Sequence, residues 1–170
     1  FLLTHQVAPI QHKALKLQIA QTRRYSVASL TGFKSLSYGE AAFGMRVAKE
    51  SKMDDLLYLN ENDHLVETSI ANVLIEKRGE FLTPALSSGC LPGIVRSVFL
   101  DWFKGVREAD LTLADVKAAS GMYVLSSLRE MDLVSELRLG DGSTQKFQIS
   151  AEAEKLRADY FINSRSQPNS

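Results

Sequence analysis

Short apolar segments crowded into the middle of the chain limit its possible folds more than any other feature. Residues 56–59 are apolar, 61–63 (Glu-Asn-Asp) read as a turn, and 64–67 lead into a further short strand at 73–76. Arg78-Gly79-Glu80 is a further turn, and Phe81-Leu82-Thr83 stops at Pro84. Strands this close together favour antiparallel hairpins over βαβ units, because a parallel neighbour needs a crossover of about a dozen residues or more.

The flanks add helices. Residues 14–20 (Ala-Leu-Lys-Leu-Gln-Ile-Ala) alternate apolar and polar, the pattern of a strand with one buried face. Residues 22–33 are irregular and carry Arg23 and Arg24. From Tyr38 to about Met53 the spacing of Phe43, Val47 and Ala48, with Lys49 and Glu50 outward, predicts a helix. Pro92 fits the first turn of another, running to about Lys104, where its missing amide hydrogen costs nothing. A short helix is expected over 113–119, a buried strand over 121–125, and a hairpin from 133–139 and 145–149 around Gly140-Asp141-Gly142. Ser150 can cap a last helix from Ala151 to about Phe161, with a frayed tail over 165–170. The class is mixed α and β with a mostly antiparallel sheet.

With 170 residues, one domain is expected. Lys plus Arg and Asp plus Glu each number 20, so no basic excess marks a nucleic-acid or membrane-surface binder. No apolar run approaches the ~18 residues of a membrane span, and Phe1-Leu2-Leu3-Thr4-His5 lacks the basic region of a signal peptide. The lone Cys90 cannot form an intramolecular disulfide, and His5, His12 and His64 sit at no metal-ligand spacing. A single cysteine suits a cytoplasmic setting.

Four segments could carry chemistry, and each has an ordinary alternative. Lys34, between apolar residues in Gly32-Phe33-Lys34-Ser35-Leu36-Ser37-Tyr38, could be partly buried. Burial favours the neutral amine, a nucleophile; the alternative is a surface lysine with its stem along the core. Glu67, in Val66-Glu67-Thr68-Ser69-Ile70-Ala71-Asn72, could partner a protonated ring nitrogen or face water in a turn. Ser88-Gly89-Cys90-Leu91-Pro92-Gly93-Ile94-Val95-Arg96 opens a helix, whose free amides and positive dipole end suit a phosphate. Its spacing matches neither nucleotide-binding glycine motif. Ser126-Ser127-Leu128-Arg129 follows a buried strand and offers hydroxyls to a phosphate, or forms a solvated turn.

In this order and spacing, over residues 14 to 162, the segments resemble the fold type IV pyridoxal-phosphate enzymes, the class IV aminotransferases. These include branched-chain and D-amino-acid aminotransferases and 4-amino-4-deoxychorismate lyases. The resemblance implies an α+β fold: the large C-terminal domain of the D-amino-acid aminotransferase type, a mostly antiparallel sheet or barrel with flanking helices. It implies pyridoxal 5'-phosphate as cofactor. Lys34 matches the lysine that holds it covalently and serves as the catalytic base. Tyr38 matches a tyrosine that bonds the ring oxygen, Glu67 the glutamate on the pyridine nitrogen, and Asn72 an asparagine of that strand with a structural role. Ile94 and Val95 match residues whose backbone amides hold the phosphate, and Ser127 the hydroxyl residue of a second phosphate loop. The chemistry agrees: one amine can lose its proton, attack, and later act as base, and a carboxylate on the ring nitrogen favours the electron-accepting pyridinium.

Departures narrow the subgroup. Thr68 and Ala71 stand where branched-chain aminotransferases have Gly and a second Glu, and Gly-Ile-Val-Arg replaces the transaminases' Gly-Ile-Thr-Arg. Ser-Ser-Leu-Arg resembles the Asn-Ser-Leu-Arg of the lyases, whereas transaminases carry Glu-Ile-Thr-Pro-Val in that stretch. The expectation is therefore a lyase making 4-aminobenzoate and pyruvate in folate biosynthesis. A D-amino-acid or branched-chain aminotransferase is the alternative, and a non-catalytic dimerisation or binding module a remote one. Residues 1–13 are expected to connect a preceding small domain to a cofactor-binding domain at 14–170. Expected partners are a small-molecule substrate and a second copy in a homodimer, with neither nucleic acid nor membrane.

Overall fold

Alternation along the strands sorts apolar side chains onto two buried faces. In the computed structural model, which describes residues 12–166, the elements are β1 (Leu15–Ile19), α1 (Gly39–Glu50), β2 (Asp55–Leu59), β3 (Leu65–Thr68), β4 (Asn72–Lys77), β5 (Glu80–Pro84), α2 (Ile94–Trp102), β6 (Val106–Ala109), α3 (Leu113–Lys117), β7 (Gly121–Ser126), β8 (Glu130–Arg138), β9 (Thr144–Lys146) and α4 (Ala151–Ser166). On β4, Val73 and Ile75 join one apolar cluster and Leu74 another; on β7, Met122 and Val124 separate from Tyr123 and Leu125 in the same way. Burial on both faces explains why these segments read as continuous apolar runs. The first cluster fills the inside of the sheet, with Leu17, Leu57, Leu65 and Leu137 fully buried. The second packs α2 and α4 on the outside through Phe99, Leu156 and Tyr160. A third sets α1, through Ala48, against Leu56, Tyr58 and Val66.

The strands form one sheet in the order β3-β2-β1-β8-β7-β4-β5-β6, with β9 added beside β8. Five of its eight pairings are antiparallel, and β1 with β2, β1 with β8 and β5 with β6 are parallel. The two ends curl together: His64 bridges Thr112, and the Leu65 amide donates to the Leu111 carbonyl at 2.7 Å. The α+β class and the curled, mostly antiparallel sheet agree with expectation.

Several local expectations need correction. The close-set strands do pair as antiparallel hairpins, but beyond them α2 forms a crossover linking the parallel strands β5 and β6. No strand is expected at 106–109, which lack alternation; that segment is extended because β5 supplies its partner. On α1 the buried positions are Gly44 and Ala48, while Phe43 is exposed. Gly44 is needed there, because a Cβ would lie 2.3 Å from the Tyr58 hydroxyl. Pro92 precedes the Gly93 cap of α2, which begins at Ile94 and ends at Trp102. Helix α4 runs on to Ser166, so Arg165 is helical. Most of the expected connector (residues 1–11) and the end of the tail (167–170) lie outside the described residues.

Polar side chains tie helices to the sheet. Ser150 caps α4 as expected: its Oγ accepts the Ala153 amide at 3.0 Å and donates to Glu76 Oε2 at 2.7 Å. Tyr123 also donates to Glu76 Oε2, and burial, chiefly, pushes its phenol up to about 12. On α3, Thr112 and Asp115 form a reciprocal capping box, and Lys77 Nζ lies 2.5 Å from Asp115 Oδ1. The Lys77 contact first, with help from Thr112, lowers the Asp115 carboxyl from 3.8 to about 2. A depressed folded value stabilises the protein above the unfolded value and is lost as pH falls through the folded one. Asp115→Asn is therefore expected to cost about 1 kcal/mol at neutral pH, after allowing for solvent screening. Denaturant melts should show that difference closing as the pH falls from about 4 towards about 2; a constant difference would contradict the assignment.

Candidate active site

The expected site residues gather largely at one end of the sheet. Glu67 lies near the end of β3 and Asn72 opens β4 after a tight turn, in which the Thr68 amide donates to the Ala71 carbonyl at 2.8 Å. Asn72 stands opposite Leu125 on β7, two residues before Ser127. The start of α2 lies against Asn72: a Cβ on Gly93 would sit 2.0 Å from Asn72 Oδ1, so only glycine permits this approach.

Asn72 joins the carboxylate to that helix start. Its Nδ2 donates to Glu67 Oε2 at 3.0 Å and to the Leu91 carbonyl at 2.8 Å. The Leu91 amide also donates to Glu67 Oε2, at 3.1 Å. Burial pushes the Glu67 carboxyl above its ordinary range, while the Arg24 guanidinium and the Leu91 amide oppose the shift. Asn72 thus ties Glu67 Oε2 to the loop before α2. Helix α2 has no side-chain cap, leaving its first-turn amides, those of Ile94 and Val95 among them, open to an anion. Val95 anchors the helix by burying its side chain, whereas Ile94 is 74% exposed.

Arg24 is the site residue that local sequence features missed. Its Nη1 donates to Glu67 Oε1 at 2.7 Å and to the Thr68 carbonyl at 3.3 Å, and its Nε reaches Glu40 Oε1 at 3.1 Å. Its guanidinium lies 4.3 Å from the Tyr58 ring centroid. Arg24 therefore clamps the Glu67 strand end to the first turn of α1. In the sequence it is only one of two adjacent arginines in a loop; nothing local marks it.

Lys34 and Tyr38 are the other expected site residues. The Lys34 amine sits over the Tyr38 ring, 5.3 Å from its centroid, and Tyr38 caps α1. Lys34 is exposed, the surface alternative of the two that the sequence left open. The apolar residues around it, Val27, Leu30, Phe33 and Leu36, are themselves between 64% and 98% exposed, so nothing in the described chain covers the amine. Arg24 and Glu40 connect this part to the carboxylate. Ser127 lies at the same end of the sheet, exposed on the β7–β8 turn. No helix among the described residues is long and apolar enough to cross a membrane.

An oriented carboxylate, open helix-start amides and an accessible amine suit a ligand with a protonatable ring nitrogen, a phosphate and a carbonyl. The model of the family "Amino-transferase class IV" matches residues 1–137. The chain is 26% identical over 122 residues to an aminodeoxychorismate lyase of Vibrio harveyi, covering 69% of this chain and 45% of that one. It is 30% identical over 127 residues to the mitochondrial branched-chain-amino-acid aminotransferase 1 of Arabidopsis thaliana, covering 65% of this chain and 33% of that one. The chain thus spans less than half the length of these relatives. Among solved structures, a protein of Legionella pneumophila provisionally named 4-amino-4-deoxychorismate lyase superposes with a TM-score of 0.82 at 26% identity, over 92% of this chain and 58% of its own. An aminotransferase of Brucella abortus bound to PLP shares the fold, with a TM-score of 0.84 at 19% identity over 95% of this chain and 58% of its own. By the extent of the family match and the agreement in fold, the chain belongs to the class IV aminotransferases, a family of pyridoxal-phosphate-dependent enzymes.

Proposed function

We propose that this chain is the cofactor-binding part of a lyase that converts 4-amino-4-deoxychorismate to 4-aminobenzoate and pyruvate, a step of folate biosynthesis. The observation that carries the reading is the Glu67–Asn72–Leu91 connection, which fixes a carboxylate beside the open amides of α2. The residues fit the family's cofactor. The Gly93 approach leaves the helix start on Asn72, and the donor set offers a carboxylate for a ring nitrogen and amides for a phosphate. When bound, pyridoxal phosphate supplies an electron-accepting ring.

The chain's residues would divide the work as follows. Lys34 would hold the cofactor through its amine and, when free, would take the proton from the amine-bearing carbon of the substrate. Tyr38 lies beneath that amine and can donate to the ring oxygen. Glu67 keeps the ring nitrogen protonated, and Asn72 and Arg24 keep Glu67 in place. The amides of Ile94 and Val95 and the Ser127 hydroxyl take the phosphate. The subgroup choice rests on Ser126-Ser127-Leu128-Arg129 and on the similarity to the Vibrio lyase. The similarity to the Arabidopsis enzyme favours the second reading, an aminotransferase using the same residues. In either case residues 1–13 would link a preceding small domain that covers Lys34 to the domain at 14–170. The working enzyme would be a cytoplasmic homodimer acting on a small molecule.

Two measurements on the full-length protein test this. Borohydride reduction with pyridoxal phosphate, followed by peptide mapping, should give one phosphopyridoxyl adduct, on Lys34; adducts scattered over surface lysines would overturn the site. Pyruvate release from 4-amino-4-deoxychorismate should exceed 2-oxo-acid formation from D-alanine or branched-chain amino acids. The opposite order would establish the aminotransferase.

A further inference from the structure

Two buried carboxylates at the base of the β7–β8 turn lie outside the site described above. Asp132 is almost fully buried, and its Oδ1 lies 2.8 Å from Nδ1 of His12, in the segment leading into β1. Its Oδ2 accepts from Arg129 Nη1, within the turn, at 3.4 Å. Glu130 closes the turn in the left-handed region at φ 55°, a conformation more usual for glycine. Its Oε1 accepts from Arg165 Nη2, near the end of α4, at 2.9 Å. His12 Nε2 also lies 3.9 Å from Glu130 Oε2. The turn between Ser126 and Glu130 is thus tied to both flanks of the fold, by one carboxylate to the lead-in of β1 and by the other to α4.

We propose that Asp132 and Glu130 are positioning residues for Ser127. A three-residue excursion carrying an exposed serine has no packing of its own to fix the hydroxyl. A hydrogen bond between His12 and Asp132 and an ion pair between Arg165 and Glu130 restrict it from two separate elements, and a buried carboxylate without its partner would be costly. The strained backbone at Glu130 is explained because that geometry points a carboxylate, which glycine lacks, at Arg165. The proposal rests on the reading of Ser127 as a phosphate ligand.

The test compares pyridoxal phosphate with pyridoxal, which lacks the phosphate, in the full-length protein. Asp132→Asn and Glu130→Gln are near-isosteric, and Arg165→Gln removes one partner without changing any residue of the turn. Each is expected to weaken pyridoxal phosphate about tenfold, the effect of one lost charge-assisted hydrogen bond, and to leave pyridoxal within about twofold. Each should also speed amide exchange at Leu128 and Arg129. In a Ser127→Ala background none should add a further loss of phosphate selectivity. Equal weakening of both ligands, a loss that adds to that of Ser127→Ala, or a turn that still exchanges slowly would overturn the proposal. Ser127→Ala alone tests the underlying reading: an unchanged ratio of the two affinities means Ser127 is not a phosphate ligand. Turn exchange in the carboxylate variants then still decides whether the two pairs hold the turn.

Discussion

Lys34→Ala is expected to abolish pyruvate release from 4-amino-4-deoxychorismate while leaving the fold intact. Lys34 is exposed in the loop before α1, with its amine over the Tyr38 ring. Its loss should therefore change stability by no more than about 0.5 kcal/mol. The rate should fall by about 10³-fold or more, because on the proposed reading the same amine would anchor the cofactor and move the proton, and general-base catalysis alone contributes up to about 10⁴-fold. Lys34→Arg should be equally inactive, since a guanidinium keeps the charge but cannot give up its proton. Initial rates with saturating cofactor, alongside thermal melts, make the comparison. Pyruvate release retained in Lys34→Ala would remove Lys34 from the chemistry.

Gly93→Ala should have the largest effect on stability of any single methyl added at the site. The new Cβ would meet Asn72 Oδ1 at 2.0 Å and Cγ at 3.2 Å. Asn72 cannot retreat freely, because its Nδ2 is held by Glu67 and the Leu91 carbonyl. Either α2 shifts away from β4, or Asn72 moves and Glu67 loses a donor in a buried setting. Overpacking and a lost bond to a charged group together predict a cost of about 2–4 kcal/mol. At roughly 2–4 °C per kcal/mol for a chain of this size, the melting temperature should drop by about 5–15 °C. Gly140→Ala is the control, since a Cβ there meets nothing within 4 Å and should be nearly neutral. A Gly93→Ala melt within about 1 °C of the natural protein, well under the shift for 1 kcal/mol, would show that the Asn72 bridge is not under constraint.

Much of the fold was legible because local pattern and tertiary placement agree. Leu15 and Leu17 are buried and Lys16 is exposed, as alternation over residues 14–20 predicts. Ser150 caps α4 because a serine before a helical run satisfies an orphan amide wherever that helix docks. The face of α1 was misread because Phe43 fits the apolar period, yet the helix turns Gly44 and Ala48 towards Tyr58, where only small residues fit. Strand β6 was missed because Val106-Arg107-Glu108-Ala109 has no period of its own and is extended only by pairing with β5.

For the site, the sequence by itself determined the chemical groups: an amine at 34, a carboxylate at 67, an amide side chain at 72, a glycine before a helix at 93 and a hydroxyl at 127. Their order along the chain was enough to suggest the family. Only the tertiary structure decided which of them meet. Asn72 links Glu67 to the loop before α2 because the β3–β4 turn and the Gly93 approach bring together groups up to 24 residues apart in the chain. Arg24 reaches Glu67 across 43 residues, and Lys34 remains exposed because its neighbouring apolar side chains find no partner in the described chain. Hydrogen bonds and packing act over a few ångströms in space, and chain order does not specify which distant segments come within that range.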